Sequence, residues 1–366
     1  MILTLMLTLS AAPAHAAGPA GWDHPGFDAE DSYYNPGESV VNLSTVNSLT
    51  RRWSVRLRSH DEACGSFSAP IVAAGKAIAT DQLGISAYNF QTGAAIWHYN
   101  WPDPGDAHTP LLAVSDGTLI AASGDCNSMS DPDGSLTALD LATGRVRWSL
   151  DTGFPIESFA VDKGFAAVSG ASESDEQATV AYRATDGKVA WRKPNFHSSG
   201  VSANGRLLLT DTKLTTAVNI ANGAALWTKK AWWQGQAATP ASDRFLVTNN
   251  AKALSAINAA TGAVLWTAPG ADNKLVSTDG RRIYRGGFLS IEALDVVTGR
   301  HLWSRKLGDQ PSQPLRAGGL LYTGGPILAP TSGAILRQLP PAPGIQLVVA
   351  GHLLSIDNGT LTSYAP

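Results

Sequence analysis

The stretch Ala138–Leu150, ALDLATGRVRWSL, has alternating apolar residues on both sides of a Thr-Gly pair and a tryptophan four residues after the glycine. Alternation with a period of two is typical of β-strands, and glycine suits a tight turn between them. A hairpin pattern that recurs many times along one chain predicts a repeat architecture. The related stretches are AYNFQTGAAIW, AYRATDGKVAW, AVNIANGAALW, AINAATGAVLW and ALDVVTGRHLW.

One complete repeat, residues 69–99, divides into four short apolar strands separated by turns at Ala74-Gly75, Asp81–Gly84 and Thr92-Gly93. We name these strands A to D. Successive strand-D tryptophans are 36 to 51 residues apart, close to the spacing of four-stranded propeller blades. A tryptophan in strand D offers a large apolar surface for packing one sheet on the next. The predicted blade tryptophans are Trp53, Trp97, Trp148, Trp191, Trp227, Trp266 and Trp303.

The two ends of the repeat region complement each other. Arg337 occupies the tryptophan position of a further repeat, after which residues 344–366 supply strands A, B and C but no strand D. The stretch Leu49–Leu57, LTRRWSVRL, supplies a lone strand D. The sequence therefore predicts an all-β fold, an eight-bladed β-propeller of four-stranded antiparallel blades spanning residues 49–366. An N-terminal strand would complete the last blade, which removes open sheet edges.

The N-terminal segment predicts export. An apolar run, Ile2–Leu9, precedes Ala14-His15-Ala16, so residues 1–16 are interpreted as a signal peptide cleaved near Ala16, although the usual positive charge before the apolar run is missing. The alternative is a buried element of the mature fold. Residues 17–48 form a lead-in, and the expected location is secreted or periplasmic. With a net charge of −3 and no other long apolar stretch, we expect no nucleic-acid partner, no membrane span and a monomer.

Two cysteines, Cys64 and Cys126, are predicted to form a disulfide, because an even pair in an exported protein is more often bonded than metal-binding or catalytic. Cys64 precedes strand A of the first complete blade, and Cys126 follows strand B of the next. In an antiparallel meander, D–A and B–C connections lie on one face of the ring, which we call the funnel face. Both cysteines are therefore expected on that face in neighbouring blades.

The pattern A-x-D-x-x-T-G-x-x-x-W, kept at Ala138–Trp148 and Ala293–Trp303, resembles the repeat of PQQ-type (quinoprotein-like) β-propellers. The lead-in WDHPGFDAEDSYYNPGES resembles that of secreted bacterial members. The resemblance implies the fold, and the family includes pyrroloquinoline-quinone (PQQ) dehydrogenases as well as cofactor-free relatives such as the outer-membrane assembly propeller lipoprotein. For a dehydrogenase it implies PQQ and Ca²⁺, commonly beside adjacent cysteines. Here the cysteines are 62 positions apart, and the lipidation cysteine of the assembly protein is missing.

Candidate site residues come from the starts of the A strands, which line the mouth of the channel. His108, Glu157 and His197 occupy this position in three successive blades, where they could bind a small ligand or a metal; the alternative is the hydrated polar funnel common to propellers. Trp232 and Trp233 lie in a D–A connection, and we expect one to pack and the other to contact a partner or glycan. The segment Ser130–Gly134, SDPDG, lacks the full calcium-loop pattern.

These residues favour a non-catalytic exported propeller that binds or scaffolds, with a protein partner, a small molecule or a glycan at the funnel face. No catalytic residue, resident metal or cofactor is assigned on this interpretation. Two alternatives stay open: a PQQ-dependent dehydrogenase, and a cell-surface protein that binds or hydrolyses polysaccharide.

Overall fold

The computed structural model describes residues 21–126, 133–171, 177–270, 275–338 and 345–366. Their regular structure consists of strands β1 to β33, and no α-helix occurs within these ranges. The strands form eight sheets, seven with four strands and one with five. This arrangement confirms the predicted all-β, eight-bladed propeller with four-stranded antiparallel blades.

The strands follow the repeats of the sequence. Two strands precede the first complete blade: Tyr34–Asn35 (β1) and Thr50–Arg56 (β2). Blades 1 to 3 consist of Ile71–Ala73 (β3), Lys76–Asp81 (β4), Gly84–Asn89 (β5), Ala95–Asn100 (β6); Leu111–Ser115 (β7), Thr118–Gly124 (β8), Gly134–Asp140 (β9), Val146–Asp151 (β10); Ser158–Asp162 (β11), Phe165–Ala171 (β12), Gln177–Arg183 (β13), Val189–Pro194 (β14).

The remaining blades follow in chain order. Blades 4 to 6 consist of His197–Ala203 (β15), Arg206–Thr210 (β16), Thr215–Asn219 (β17), Ala225–Lys229 (β18); Gln234–Ala238 (β19), Arg244–Thr248 (β20), Leu254–Asn258 (β21), Val264–Ala268 (β22); Val276–Thr278 (β23), Arg282–Gly287 (β24), Ser290–Asp295 (β25), His301–Lys306 (β26). Blade 7 and the C-terminal part of blade 8 consist of Leu315–Ala317 (β27), Leu320–Tyr322 (β28), Pro326–Leu328 (β29), Ile335–Gln338 (β30); Ile345–Val349 (β31), His352–Asp357 (β32), Thr360–Ala365 (β33).

The ring closes through blade 8, whose strands come from both ends of the propeller. β2 pairs antiparallel with β33, with Thr50 opposite Ala365 and Arg56 opposite Thr360. Since β33, β32 and β31 continue the same sheet, β2 is its outermost strand. The prediction that an N-terminal strand completes the last blade is confirmed.

Adjacent blades are joined by a repeated contact of the strand-D tryptophans. Each indole N–H donates to a backbone carbonyl of the following blade, and the glycine of that blade's C–D turn lies against the ring. The donor and acceptor pairs are Trp53–Phe90, Trp97–Leu141, Trp148–Ala184, Trp191–Ile220, Trp227–Ala259, Trp266–Val296 and Trp303–Pro330.

The eighth junction explains why Arg337 replaces tryptophan. The blade that follows it is blade 8, in which strand C is β33 and strand D is β2. These two strands are the ends of the propeller and are not joined by a C–D turn. There is consequently no turn glycine on which a tryptophan at position 337 could pack.

The lead-in runs around one end of the central channel and contacts strand A of every blade in order. Most of these contacts are backbone hydrogen bonds of 2.7 to 2.9 Å at the end of strand A. The paired residues are Trp22–Val72, Asp23–Val114, His24–Val161, Ala29–Ser202, Glu30–Ala238, Ser32–Thr278, Tyr33–Arg316 and Asn35–Val348. The lead-in is therefore part of the propeller interior, which the sequence pattern did not predict.

The predicted disulfide is confirmed. Cys64 lies between β2 and β3, Cys126 follows β8, and their Cα atoms are 6.1 Å apart. Cys126 is also held by its backbone N–H, which donates to the carbonyl of Asp106 at 2.9 Å. The bond joins the connection that enters blade 1 to the B–C connection of blade 2 on the funnel face.

Candidate functional site

The lead-in covers one of the two ends of the central channel. Its contacts lie at the last or next-to-last residue of each A strand, beside the A–B turns. Where the structure describes the D–A and B–C connections on the opposite side, none of them pairs with the lead-in through backbone hydrogen bonds, so the funnel face is the side from which a ligand or partner can approach. Four of the five residues that the sequence proposed as a site lie together on this face.

These four residues, Glu157, His197, Trp232 and Trp233, line one pocket of about 350 Å³, which we call the histidine–glutamate pocket. Glu157 directly precedes β11 of blade 3, and its backbone N–H donates to Ser169 at 2.8 Å. His197 begins β15 of blade 4. The tryptophans lie in the connection between β18 and β19, so the pocket spans the first strands of blades 3, 4 and 5.

The centre of the pocket is a close side-chain contact between blades 3 and 4. His197 Nε2 lies 3.1 Å from Glu157 Oε2. Burial lowers the pKa of His197 below its usual value, and the adjacent Glu157 carboxylate only partly offsets this effect. The imidazole is therefore mainly neutral near pH 7. Asp211 also lines the pocket, and its described lining contains no Lys or Arg, so the site suits a cationic or hydrogen-bond-donating group.

The two tryptophans have different environments. Trp233 is 8% exposed and packs with Val201 and Phe245 in the core between blades 4 and 5. Its backbone carbonyl accepts a hydrogen bond from Thr210 Oγ1 at 2.7 Å. Trp232 is half-buried and lines the pocket. Trp233 thus positions the connection, and Trp232 presents an aromatic surface to whatever enters.

His108 lies outside this group. It precedes β7 of blade 2, its side chain is exposed, and its Nδ1 is 3.3 Å from the carbonyl of Thr109. Throughout the described ranges, no group of three His, Cys, Asp or Glu side chains is placed to hold a metal ion. Residues 130–132 of the SDPDG segment lie outside the described residues. The structure therefore brings together Glu157 and His197, but not His108 with them.

A second concave site, which the sequence did not indicate, lies at the channel between blades 7, 8 and 1. This cavity of about 530 Å³ is lined by Trp22, Pro25 and Tyr33 of the lead-in together with Ala69, residues 307–310, 312–313 and 322–326, and parts of β30 and β31. We call it the central cavity. Its residues are scattered along the chain and share no motif.

Comparison with known proteins identifies the family. Residues 48–158 and 211–348 match the family model described as outer membrane protein assembly factor BamB. The chain belongs to this family. The match confirms the resemblance to PQQ-type propellers and covers most blades of the ring.

Two curated relatives match parts of this chain. BamB of Burkholderia pseudomallei (strain K96243) is 31% identical over 175 residues, which is 44% of this chain and 44% of the relative. The dehydrogenase subunit of the quinone alcohol dehydrogenase of Gluconacetobacter polyoxogenes is 29% identical over 203 residues, 48% of this chain and 25% of the relative. The matches therefore span less than half of either relative.

Solved structures share the fold of this BamB-family chain. Quinohemoprotein alcohol dehydrogenase from Comamonas testosteroni superposes with a TM-score of 0.71 at 14% identity, covering 96% of this chain and 81% of the other. BamB from Moraxella catarrhalis gives a TM-score of 0.61 at 17% identity, covering 87% and 100%. At these identities the likeness concerns the fold alone.

The residues present at the channel do not fit the quinone of the dehydrogenase branch. PQQ is a polycarboxylate and needs cationic partners when buried. The described lining of the central cavity contains no Lys, Arg or His, and its one charged side chain is the carboxylate of Asp309. Cys64 and Cys126 join blades 1 and 2 and do not line the cavity.

Proposed function

We propose that this protein is an exported, non-catalytic binding scaffold of the bacterial envelope, and that it contacts a protein partner through the histidine–glutamate pocket. Membership of the assembly-factor family supports a scaffold. The observation that carries the site is the half-buried Trp232 beside the Glu157–His197 pair, on the face that the lead-in leaves free. None of the described segments forms a helix long and apolar enough to cross a membrane.

The chemistry of the pocket defines the partner group. Glu157 is half-exposed, at 51% of its side chain, so its charge is available to a partner. A Lys or Arg side chain would pair with this carboxylate and lie against the indole of Trp232, where a cation–π contact adds to the attraction. We therefore propose a partner segment with an exposed basic residue.

Site-specific cross-linking in the envelope of the producing cell tests this proposal. Benzoylphenylalanine in place of Trp232 is expected to give one predominant adduct with a protein. The matched position is Phe288, which is 81% exposed in a B–C turn of the same face and should give no such adduct. Glu157→Gln should lower the yield about fivefold, as expected for loss of one partly exposed ion pair, whereas the exposed Glu62→Gln should not. Equal labelling from positions 232 and 288 would contradict the proposal.

The dehydrogenase is the second candidate, because the chain matches part of a quinone alcohol dehydrogenase. It is tested by adding PQQ and Ca²⁺ to the purified protein and following alcohol-dependent reduction of an electron-acceptor dye. We expect no reduction above that of the quinone alone. Turnover that requires the protein would replace the scaffold proposal with this enzyme.

A further inference from the structure

The charge of the funnel face changes sign at the histidine–glutamate pocket. The D–A and B–C connections of blades 2 and 3 lie on one side, and their described residues include neither Lys nor Arg. We call these residues, 101–110, 125–126, 133 and 152–157, the acidic sector. The exposed carboxylates of this sector are Asp103 and Glu157, and the exposed Asp151 adjoins it at the end of β10.

Negative charge accumulates in the acidic sector. Partial burial raises the pKa of Asp125, and the nearby carboxylates of Asp106 and Asp151 add to this effect. Asp125, Asp133 and Asp151 line one groove, and the described lining of this groove contains no basic side chain. The sector therefore attracts positive charge from a molecule that approaches the funnel face.

The connections of blades 4 and 5 carry the opposite charge. Lys213 lies in the B–C connection of blade 4, and Lys230 begins the connection that contains Trp232. Both lysines are exposed. The single carboxylate in the described connections of these blades is Asp211, whose Oδ1 accepts from the backbone N–H of Lys213 at 2.6 Å. We call these connections, residues 195–196, 211–214, 230–233 and 249–253, the lysine sector.

A protein bound at the histidine–glutamate pocket has to cover parts of both sectors. Specific interfaces bury about 800 Å² on each partner, and the pocket itself already contains residues of blades 3, 4 and 5. Like charges brought together in an interface cost free energy, whereas complementary charges fix the orientation of the partners and speed their association. The partner's surface must therefore change sign where the funnel face does.

We infer that the partner is a protein with a bipolar contact surface, which places basic side chains on the acidic sector and acidic side chains on the lysine sector. This inference rests on the proposed function and deepens it, because it specifies the partner and its orientation at the same site. A second copy of this chain does not fit. A two-fold axis that matched opposite sectors of two copies would also bring their pockets together, with one Glu157 carboxylate against the other.

Charge reversal combined with cross-linking tests the inference. Benzoylphenylalanine at position 232 is introduced into doubly substituted chains, and the yield of the protein adduct is measured in the envelope of the producing cell. The funnel-face variants are Asp103→Lys with Asp151→Lys, and Lys213→Glu with Lys230→Glu. Matched controls make the same changes of net charge on the opposite face: Asp116→Lys with Asp186→Lys, and Lys163→Glu with Lys188→Glu. All eight residues are exposed, so the variants should fold, and thermal unfolding verifies this.

We expect each funnel-face variant to give about tenfold less adduct and each control to give the natural yield. A carbodiimide, which joins a carboxylate to a lysine amine, should link Asp103 or Asp151 to lysines of the captured protein, and Lys213 or Lys230 to its carboxylates. Three results would each overturn the inference and leave the proposed function standing: a natural yield in either funnel-face variant, links from one sector only, or linked peptides from a second copy of this chain. Absence of any adduct at position 232 in the otherwise natural chain would overturn the proposed function and, with it, this inference.

Discussion

The indole N–H of Trp191 donates to the carbonyl of Ile220 at 2.7 Å, across the boundary between blades 3 and 4. The same ring covers Gly223, where a Cβ would lie 2.8 Å from Trp191 Cγ. Glycine is therefore required at position 223 for two reasons. A Cβ would clash with the indole, and the φ of +68° disfavours any side chain. The hydrogen bond and the glycine contact together fix the spacing of neighbouring blades, and seven junctions repeat the contact.

Gly223→Ala is therefore expected to destabilise the protein more than an alanine in an equally strained but open turn. Gly164 is the matched control, because its φ is +81° and a Cβ there meets nothing within 4 Å. We expect Gly164→Ala to cost about 1 kcal/mol for its backbone conformation. Gly223→Ala should cost about 2 kcal/mol more because of the overpacking against Trp191. Urea unfolding measures the loss of stability in each variant. Equal losses in Gly223→Ala and Gly164→Ala would contradict the role assigned to the Trp191–Gly223 contact.

The propeller could be predicted from sequence because each blade is formed by a continuous segment. Alternation, turn glycines and the strand-D tryptophan are all local, so they are visible at positions such as Gly144 and Trp148. The split blade 8 could be predicted by counting strands, since three strands at the C-terminus match one lone strand around Trp53. The arginine at position 337 is explained by the same closure, because blade 8 has no C–D turn on which a tryptophan could pack.

The lead-in could not be predicted, because it is held by main-chain groups that carry no sequence signature. The carbonyls of Ala29 and Glu30 accept from Ser202 and Ala238, residues that are some 170 to 210 positions away. Any side chain at these positions could make the same bonds. For this reason the central cavity, whose floor is the lead-in, was also missed.

The candidate site was predicted in part. Aligning the starts of the A strands places residues at the same height along the channel, and this brings Glu157 and His197 within ion-pair distance. The alignment gives no information about the direction in which a side chain points. His108 has the equivalent height but is exposed beside its own Thr109 carbonyl.

Closure of the ring makes the C-terminal strands indispensable. Removing residues 345–366 deletes β31 to β33 and leaves β2 without the strand it pairs with. The exposed edges and core are expected to cause association and loss of cooperative unfolding. Light scattering and thermal unfolding would detect both changes. A synthetic peptide of residues 345–366 should restore the monomer, and a truncated protein that remains monomeric and equally stable would contradict this closure.

The disulfide between Cys64 and Cys126 should contribute measurably to stability. It links positions separated by 62 residues, for which the chain-entropy relation gives about 4 kcal/mol. Replacing both cysteines by serine is expected to lower the unfolding free energy by up to this amount. Reductant should destabilise the natural protein to the level of the double variant and have no effect on the variant itself. Alkylation of both thiols in the unreduced folded protein would show that the bond is absent.

The lead-in should make stability depend on pH through Asp28. Burial raises the pKa of the Asp28 carboxyl to about 8, and the nearby Glu30 charge adds to the effect. Burial likewise raises the pKa of Asp31 to about 7. Both groups have a pKa near 3.9 when unfolded, so the native state binds more protons than the unfolded state between about pH 4 and pH 8. The unfolding free energy must therefore fall as the pH rises through this window.

Asp28→Asn tests this dependence, because asparagine resembles the protonated carboxyl and its side-chain oxygen can still accept from the backbone N–H of Ser32, a bond of 3.0 Å in the structure. We expect the variant to be more stable than the natural protein by about 1–2 kcal/mol at pH 5 and by several kcal/mol at pH 8, and to show a weaker pH dependence between these values. Urea unfolding at both pH values measures the difference. Asp61→Asn, an exposed aspartate of the funnel face, should follow the natural protein. If Asp28→Asn keeps the pH dependence of the natural protein, the Asp28 carboxyl is not the group that makes stability depend on pH.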